Sequence, residues 1–322
     1  MVISLLLIII GFAALISGAN WLVDGASSLA KKHNVSDLVI GLTIVAFGTS
    51  APELVVNSIA SLNGYPDIIL GNIIGSNNFN LFIILGTAGL IYPITVQSST
   101  VWREIPISLV AAIFLAVLAN NFFLDEISQI SRVDGGILII GFTAFLFYMF
   151  RQMKKEKNIA VSYQHKSNLK IWGFILLGFT GLIIGGQLVV DNGVLIATNL
   201  GVSEKVIGLT IIAAGTSLPE LLTSIVAATK KNSDIAIGNV IGSNIFNILL
   251  ILSVSSFINP ISYNQKFNLD ILILIGGSIF LFMAMFTGKR KRLDRWESAL
   301  LLSFYLIYTI YLVWKEMHQN IS

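Results

Sequence analysis

VIGLTIVAFGTSAPEL fills residues 39–54, and VIGLTIIAAGTSLPEL fills residues 206–221. The two stretches lie 167 residues apart, and the same offset places DIILGNIIGSNNFN (67–80) over DIAIGNVIGSNIFN (234–247). Across 37–80 and 204–247, 24 of 44 positions are identical without a gap. Gly11-Phe12 returns as Gly178-Phe179, Gly18 as Gly185 and Asp24 as Asp191. The chain is a tandem of two homologous halves, so a fold argued for one half holds for both.

Composition says where those halves reside. Of 322 residues, 55% are hydrophobic and 11% charged, and mean hydropathy is +0.83. A soluble domain would carry about 25% charged residues. The apolar residues fall in blocks long enough to cross a hydrocarbon core of about 30 Å. They lack the alternation of a barrel strand, so helices must satisfy the backbone. Ten spans are expected, near 2–28, 37–62, 67–91, 104–122, 133–150, 171–199, 205–229, 234–258, 268–287 and 296–314. The first lacks the basic region of a signal peptide and belongs to the repeat, so it counts as a membrane helix.

The connecting segments alternate between two sides. Sixteen of the 20 Lys and Arg residues fall on the side of the 31–34 loop and four on the other. The positive-inside rule then places the polar stretch 151–170 in the cytoplasm and both termini outside. Five spans per repeat is an odd number, so the second copy enters the membrane from the opposite face. The expected fold is an all-α polytopic membrane protein, ten transmembrane helices arranged as two inverted five-helix repeats. Residues 1–150 form the first repeat, 151–170 a cytoplasmic linker and 171–322 the second repeat. Secondary transporters use this architecture, with the substrate held near the midplane where the repeats meet.

Two motifs per repeat carry chemistry. Gly48-Thr49-Ser50-Ala51-Pro52-Glu53 and Gly215-Thr216-Ser217-Leu218-Pro219-Glu220 sit in mid-span. Proline has no N–H, so the helix is expected to break there, freeing the carbonyls of Gly48 and Gly215 and disturbing those near Ala46, Thr49, Ala213 and Thr216. Such carbonyls are hard oxygen donors, suited to Na⁺ or Ca²⁺. Thr49 and Ser50 precede Glu53 by one turn, so hydroxyls and carboxylate can face one cavity. Hydroxyls in membrane helices more often bond the backbone or pack helices. An intramembrane glutamate has no such bland role, and two in symmetric positions mark an ion path. The second motif runs Gly71-Asn72 to Asn80 and Gly238-Asn239 to Asn247. Its glycines suit helix packing, while Ser76 with Asn80, and Ser243 with Asn247, share a face at i, i+4 and offer neutral oxygens. Asp24 and Asp191 are read as helix-end charges or gate residues.

Several classes fall away. With no cysteine there is no disulfide or thiolate chemistry. The three histidines (His33, His165, His318) lie in polar connections or the tail, which disfavours zinc and copper. A net charge of +3 does not suggest nucleic acid. No H-E-x-x-H or nucleophile–base constellation points to an enzyme, and no cofactor is implied.

The doubled GTS-x-PE and GN-x-x-GSN-x-x-N motifs resemble the Ca²⁺:cation antiporter superfamily, above all the prokaryotic Na⁺/Ca²⁺ exchangers. The likeness spans nearly the whole chain. It implies Ca²⁺ and Na⁺ as substrates, a prokaryotic inner-membrane location within the lipid bilayer, and a monomer as an admissible unit. It also implies that spans 2, 3, 7 and 8 enclose the ions while spans 1 and 6 slide past them. By motif position Glu53 and Glu220 look like the bridging carboxylates, and Ala46 and Ala213 like the carbonyl donors. Thr49, Ser50, Ser76, Thr216, Ser217 and Ser243 look like further oxygen donors, beside Asn80 and Asn247. Some superfamily members carry Asp at the position of Asn247, which leaves stoichiometry open. Proton-coupled relatives often bear Glu where Ile74 and Ile241 stand. A Ca²⁺/H⁺ or other divalent-cation antiporter is the alternative, and a passive channel a third reading.

Overall fold

The computed structural model describes residues 2–120, 128–156, 167–199 and 213–319. These fold into helices α1 (Val2–His33), α2 (Asp37–Thr49), α3 (Ala51–Leu62), α4 (Pro66–Ile91), α5 (Thr100–Asn120), α6 (Arg132–Glu156), α7 (Asn168–Asn199), α8 (Ala213–Thr216), α9 (Leu218–Thr229), α10 (Ser233–Ile258), α11 (Asn268–Ala284) and α12 (Arg295–Gln319). Among the described residues, seven helices are long and apolar enough to cross a membrane, and the bent pair α2–α3 makes an eighth. The expected first part of span 205–229 lies outside the described residues. Helix α6 continues through Glu156, into the polar stretch 151–170.

Local sequence sets the helix ends. Ser36 caps α2 by accepting from Val39 N at 3.4 Å, with Asp37 in the first turn, where a carboxylate suits the dipole. Asn232 caps α10 in the same way, accepting from Ile235 N at 3.1 Å. Pro52, Pro66 and Pro219 stand in the first turns of α3, α4 and α9, where a missing N–H costs nothing. Lys31, Lys32 and His33 close α1, the end that favours positive charge.

Packing is layered. The most apolar stretch of α10 is 94% buried within the protein and that of α4 67%, whereas the values for α1, α6 and α7 are each 28%. Therefore α4 and α10 form the centre, and α1 and α7 pack against each other at the periphery. Glycine permits that pairing: a Cβ on Gly18 would lie 2.8 Å from the Gly178 carbonyl, and one on Gly185 2.7 Å from that of Gly11. The backbones meet directly, as small residues allow in membrane helices.

The halves also exchange small elements. Strand β1 (Ile94–Thr95) follows α4 and pairs antiparallel with β4 (Arg292–Leu293) before α12. Strand β3 (Ile261–Ser262) follows α10 and pairs with β2 (Gln129–Ile130) before α6. Arg295 donates from Nε to Leu90 O at 3.1 Å, and Arg132 from Nε to Phe257 O at 3.2 Å. Each arginine thus caps the last carbonyls of the other half's central helix.

Candidate functional site

The break expected at the proline motif is present. The α2 and α3 axes differ by 46°. Ser50 (φ −84°, ψ 6°) and Ser217 (φ −89°, ψ 7°) occupy the pivot positions, in the sparsely populated bridge between helical and extended backbone. Four-residue bonding resumes beyond each pivot, from Leu54 N to Ser50 O and Leu221 N to Ser217 O. Pro52, lacking an N–H, cannot donate to Gly48 O. The Ala46 carbonyl accepts from Ser50 N at 3.0 Å and lies 3.3 Å from Thr49 Oγ1. Ala213 is the first residue of α8.

The bends bring Glu53 and Glu220 into the middle of the bundle, each 1% exposed. Ser50 Oγ donates to Glu220 Oε1 at 2.9 Å and stands 2.9 Å from Ser243 Oγ. In the other half Ser217 Oγ lies 3.4 Å from Glu53 Oε1 and 3.2 Å from Ser76 Oγ. Each glutamate is therefore met by the serine of the opposite motif. The exchange continues outward. Asn80 Nδ2 donates to Asn244 Oδ1 at 3.1 Å, and Asn247 Nδ2 to Asn77 Oδ1 at 3.0 Å. Thr49 Oγ1 lies 3.0 Å from Asn239 Oδ1, and Asn72 Nδ2 lies 3.4 Å from Thr216 Oγ1.

Asn80 and Asn247 lie where α4 and α10 widen into π-helical turns, Phe79–Ile84 and Phe246–Ile251. Widened turns of this kind are frequent at functional sites. Asn72, Asn77, Asn239 and Asn244 bond across helices, the interhelical role expected of asparagine in this motif, and Asn57 and Ser224, which no motif singles out, join them. Their signal was available: each is a polar residue at depth in an apolar helix.

The electrostatics are one-sided. Among the described residues neither glutamate forms an ion pair. Glu53 Oε2, Glu220 Oε2, Asn80 Oδ1 and Asn247 Oδ1 are buried and accept no hydrogen bond. Buried acceptors without a donor cost free energy, and carboxylates cost most. Bound cations would compensate oxygens of this kind. Carboxylate, amide and hydroxyl oxygens without sulfur or imidazole form a hard set, suited to Ca²⁺ or Na⁺. Among the described residues no cluster of three or more His, Cys, Asp or Glu occurs, so neutral oxygens would complete any shell.

An opening of about 330 Å³ reaches this region from the side of α7. Pro52, Thr216 and Pro219 line it, as do Gln187, Val190 and Asp191 of α7.

The sequence matches the sodium/calcium exchanger protein family over residues 3–151 and 170–314. The inner membrane protein YrbG of Escherichia coli is 33% identical over 331 residues, covering 98% of each chain. The sodium/calcium exchanger MaX1 of Methanosarcina acetivorans is 30% identical over 348 residues, covering 96% of this chain and 98% of its own. A structure of the sodium-calcium exchanger NCX_Mj superposes with a TM-score of 0.83 at 33% identity, over 96% of this chain and 98% of the other. Fold, helix breaks and family match together define a membrane cation antiporter, a transporter rather than an enzyme. The chain belongs to the sodium/calcium exchanger family, among the prokaryotic members of the Ca²⁺:cation antiporter superfamily.

Proposed function

We propose that this chain exchanges Ca²⁺ for Na⁺ across a prokaryotic inner membrane by alternating access. The observation that carries the reading is the reciprocal network in which Ser50 meets Glu220 and Ser217 meets Glu53, with four acceptor oxygens beside it lacking donors. Glu53 and Glu220 supply two negative charges. One Ca²⁺ or two Na⁺ neutralise them equally, so the loads compete and exchange follows. Thr49, Ser50, Ser76, Asn80 and their counterparts Thr216, Ser217, Ser243 and Asn247 supply neutral oxygens. The carbonyls of Ala46 and Ala213 complete the set.

In this reading the chain crosses the membrane ten times as two inverted repeats joined by a cytoplasmic linker, with both termini outside. The α1–α7 pair, joined by its glycine contacts, is the unit that slides past the ion-binding core. The names borne by MaX1 and NCX_Mj favour Na⁺ and Ca²⁺ as the paired ions, and the name of YrbG favours the inner membrane. A single chain supplies every group of the site.

The test is uptake of radiolabelled Ca²⁺ into proteoliposomes preloaded with Na⁺, K⁺ or choline at one pH. Uptake only against internal Na⁺ is expected. Uptake driven by a pH gradient instead would replace Na⁺ with H⁺ as the driving ion, and uptake without a counter-ion would overturn antiport.

A further inference from the structure

Asn77 and Asn80 of α4 face Asn244 and Asn247 of α10, and all four are at most 2% exposed. Asn80 Nδ2 donates to Asn244 Oδ1 at 3.1 Å, and Asn247 Nδ2 to Asn77 Oδ1 at 3.0 Å. A carboxamide carries its oxygen and its nitrogen at opposite corners. With the nitrogens of Asn80 and Asn247 turned to the neighbouring helix, their oxygens face elsewhere, buried and accepting no hydrogen bond among the described residues. One turn earlier on the same helices stand serines of the ion site. Ser76 Oγ lies 3.2 Å from Ser217 Oγ, and Ser243 Oγ lies 2.9 Å from Ser50 Oγ and 3.4 Å from Glu220 Oε1.

The two ends of an amide are nearly equal in size, so the partner decides which way round it sits. Turned over, Asn80 would set its oxygen against Asn244 Oδ1, two acceptors with no hydrogen between them. Asn244 cannot turn to meet it. Its own nitrogen donates to the Asn77 backbone carbonyl at 3.4 Å, and a backbone carbonyl has no hydrogen to offer in exchange. One carbonyl thereby sets the direction of two amides. The other arm lacks that anchor. Asn77 Nδ2 is buried and has no acceptor among the described residues, so Asn77 and Asn247 can turn over together and keep the hydrogen bond between them.

We infer that Asn244 and Asn77 are positioning residues that aim the carboxamide oxygens of Asn80 and Asn247 at the bound cation, with the Asn80 arm fixed by the backbone and the Asn247 arm free to turn when the site empties. The inference rests on the cation-site reading above.

The experiment measures Ca²⁺ and Na⁺ binding to the purified full chain by titration, with thermal stability and uptake into Na⁺-loaded proteoliposomes alongside. N77L and N244L each remove an acceptor at nearly constant volume. Each is expected to weaken Ca²⁺ about tenfold, the effect of one buried donor left unpaired. N77D keeps the oxygen that Asn247 needs and removes only the nitrogen without an acceptor, so it should bind Ca²⁺ at least as tightly as the parent. A packing role at this position would make N77D weaken binding as N77L does. In an N80A background N244L should weaken Ca²⁺ no further, because it acts through Asn80, whereas independent losses multiply. If N80A alone abolishes binding, the contrast between N77D and N77L decides; if N77D fails to fold, the N80A background decides.

N244D adds the same charge as N77D at the repeat-related position but has no hydrogen for the Asn77 carbonyl, so it should melt below N77D. Equal weakening by N77D and N77L, or multiplied losses in N80A/N244L, would overturn the positioning role, and equal melting of the two Asp variants would overturn the backbone anchor. A parent that binds Ca²⁺ but shows no Na⁺-dependent uptake would overturn the exchange reading, while the titrations still decide the positioning. A parent that binds neither ion would remove both.

Discussion

Lys230 donates to Asp24 Oδ1 from 2.8 Å, and its ammonium also lies 3.1 Å from the Asn20 carbonyl. The repeat-related positions hold Asn63 and Asp191, an amide and a carboxylate that cannot form an ion pair. Asp191 instead lines the opening beside α7. One end of the gap between the α1–α7 layer and the core is pinned by charge, and the other is open.

That asymmetry predicts a conformational bias. An exposed ion pair contributes about 0–1 kcal/mol, enough to shift a two-state balance up to about fivefold. The chain contains no cysteine, so a cysteine placed at Val55 in the wall of the opening reports on it alone. Asp24→Asn or Lys230→Met should reduce labelling there by a membrane-impermeant maleimide, and the charge-reversed pair D24K/K230D should restore it. Unchanged labelling in both single variants would show that the ion pair does not hold the gap.

The glutamates predict loss of transport without loss of fold. Glu53→Gln or Glu220→Gln leaves one negative charge where Ca²⁺ needs two, and exchange should fall to background. The melting temperature should hold or rise, because removing a buried unpaired charge relieves a desolvation cost. Transport like the parent's in either variant would contradict the charge balance.

Asn247→Asp adds a titratable group where the parent has an amide oxygen without a donor. The variant's exchange should acquire a pH dependence and an altered Na⁺ dependence relative to the parent. Superimposable pH and Na⁺ profiles would place Asn247 outside the site.

Gly48 faces the Phe179 ring so closely that a Cβ would collide with it. Gly48→Ala should cost about 1–3 kcal/mol of stability, seen as a lower midpoint of thermal unfolding in detergent. Phe179→Leu in the same chain should recover most of that loss, because it removes the obstructing ring. Equal losses with and without the second substitution would mean that the glycine is needed for backbone reasons instead.

Arg132 and Arg295 predict a stability effect away from the ions. Each caps the final carbonyls of the other half's central helix. Replacing either by Met should cost about 1 kcal/mol and leave half-saturating Ca²⁺ unchanged. A shift in Ca²⁺ affinity as large as the shift in stability would tie these caps to the site.

Much of this molecule was legible before any coordinates. Apolar block length marked membrane helices, because a lipid core leaves a backbone few alternatives. Proline in mid-block located the breaks at Ser50 and Ser217, and the repeat singled out Glu53 and Glu220 as paired carboxylates. Helix ends were less legible. Block length placed the end of the first span near residue 28, but α1 runs to His33, because its polar last turn continues the backbone bonding.

Sequence by itself determined the two homologous halves, the residues that break their helices and the donor types placed at those breaks. These follow from local rules: proline lacks a hydrogen, and carboxylates at depth need compensation. Only the tertiary structure decided which half serves which. That Ser50 meets Glu220 rather than Glu53, and that Asn72 and Asn239 face opposite ways, depends on contacts between segments far apart in the chain.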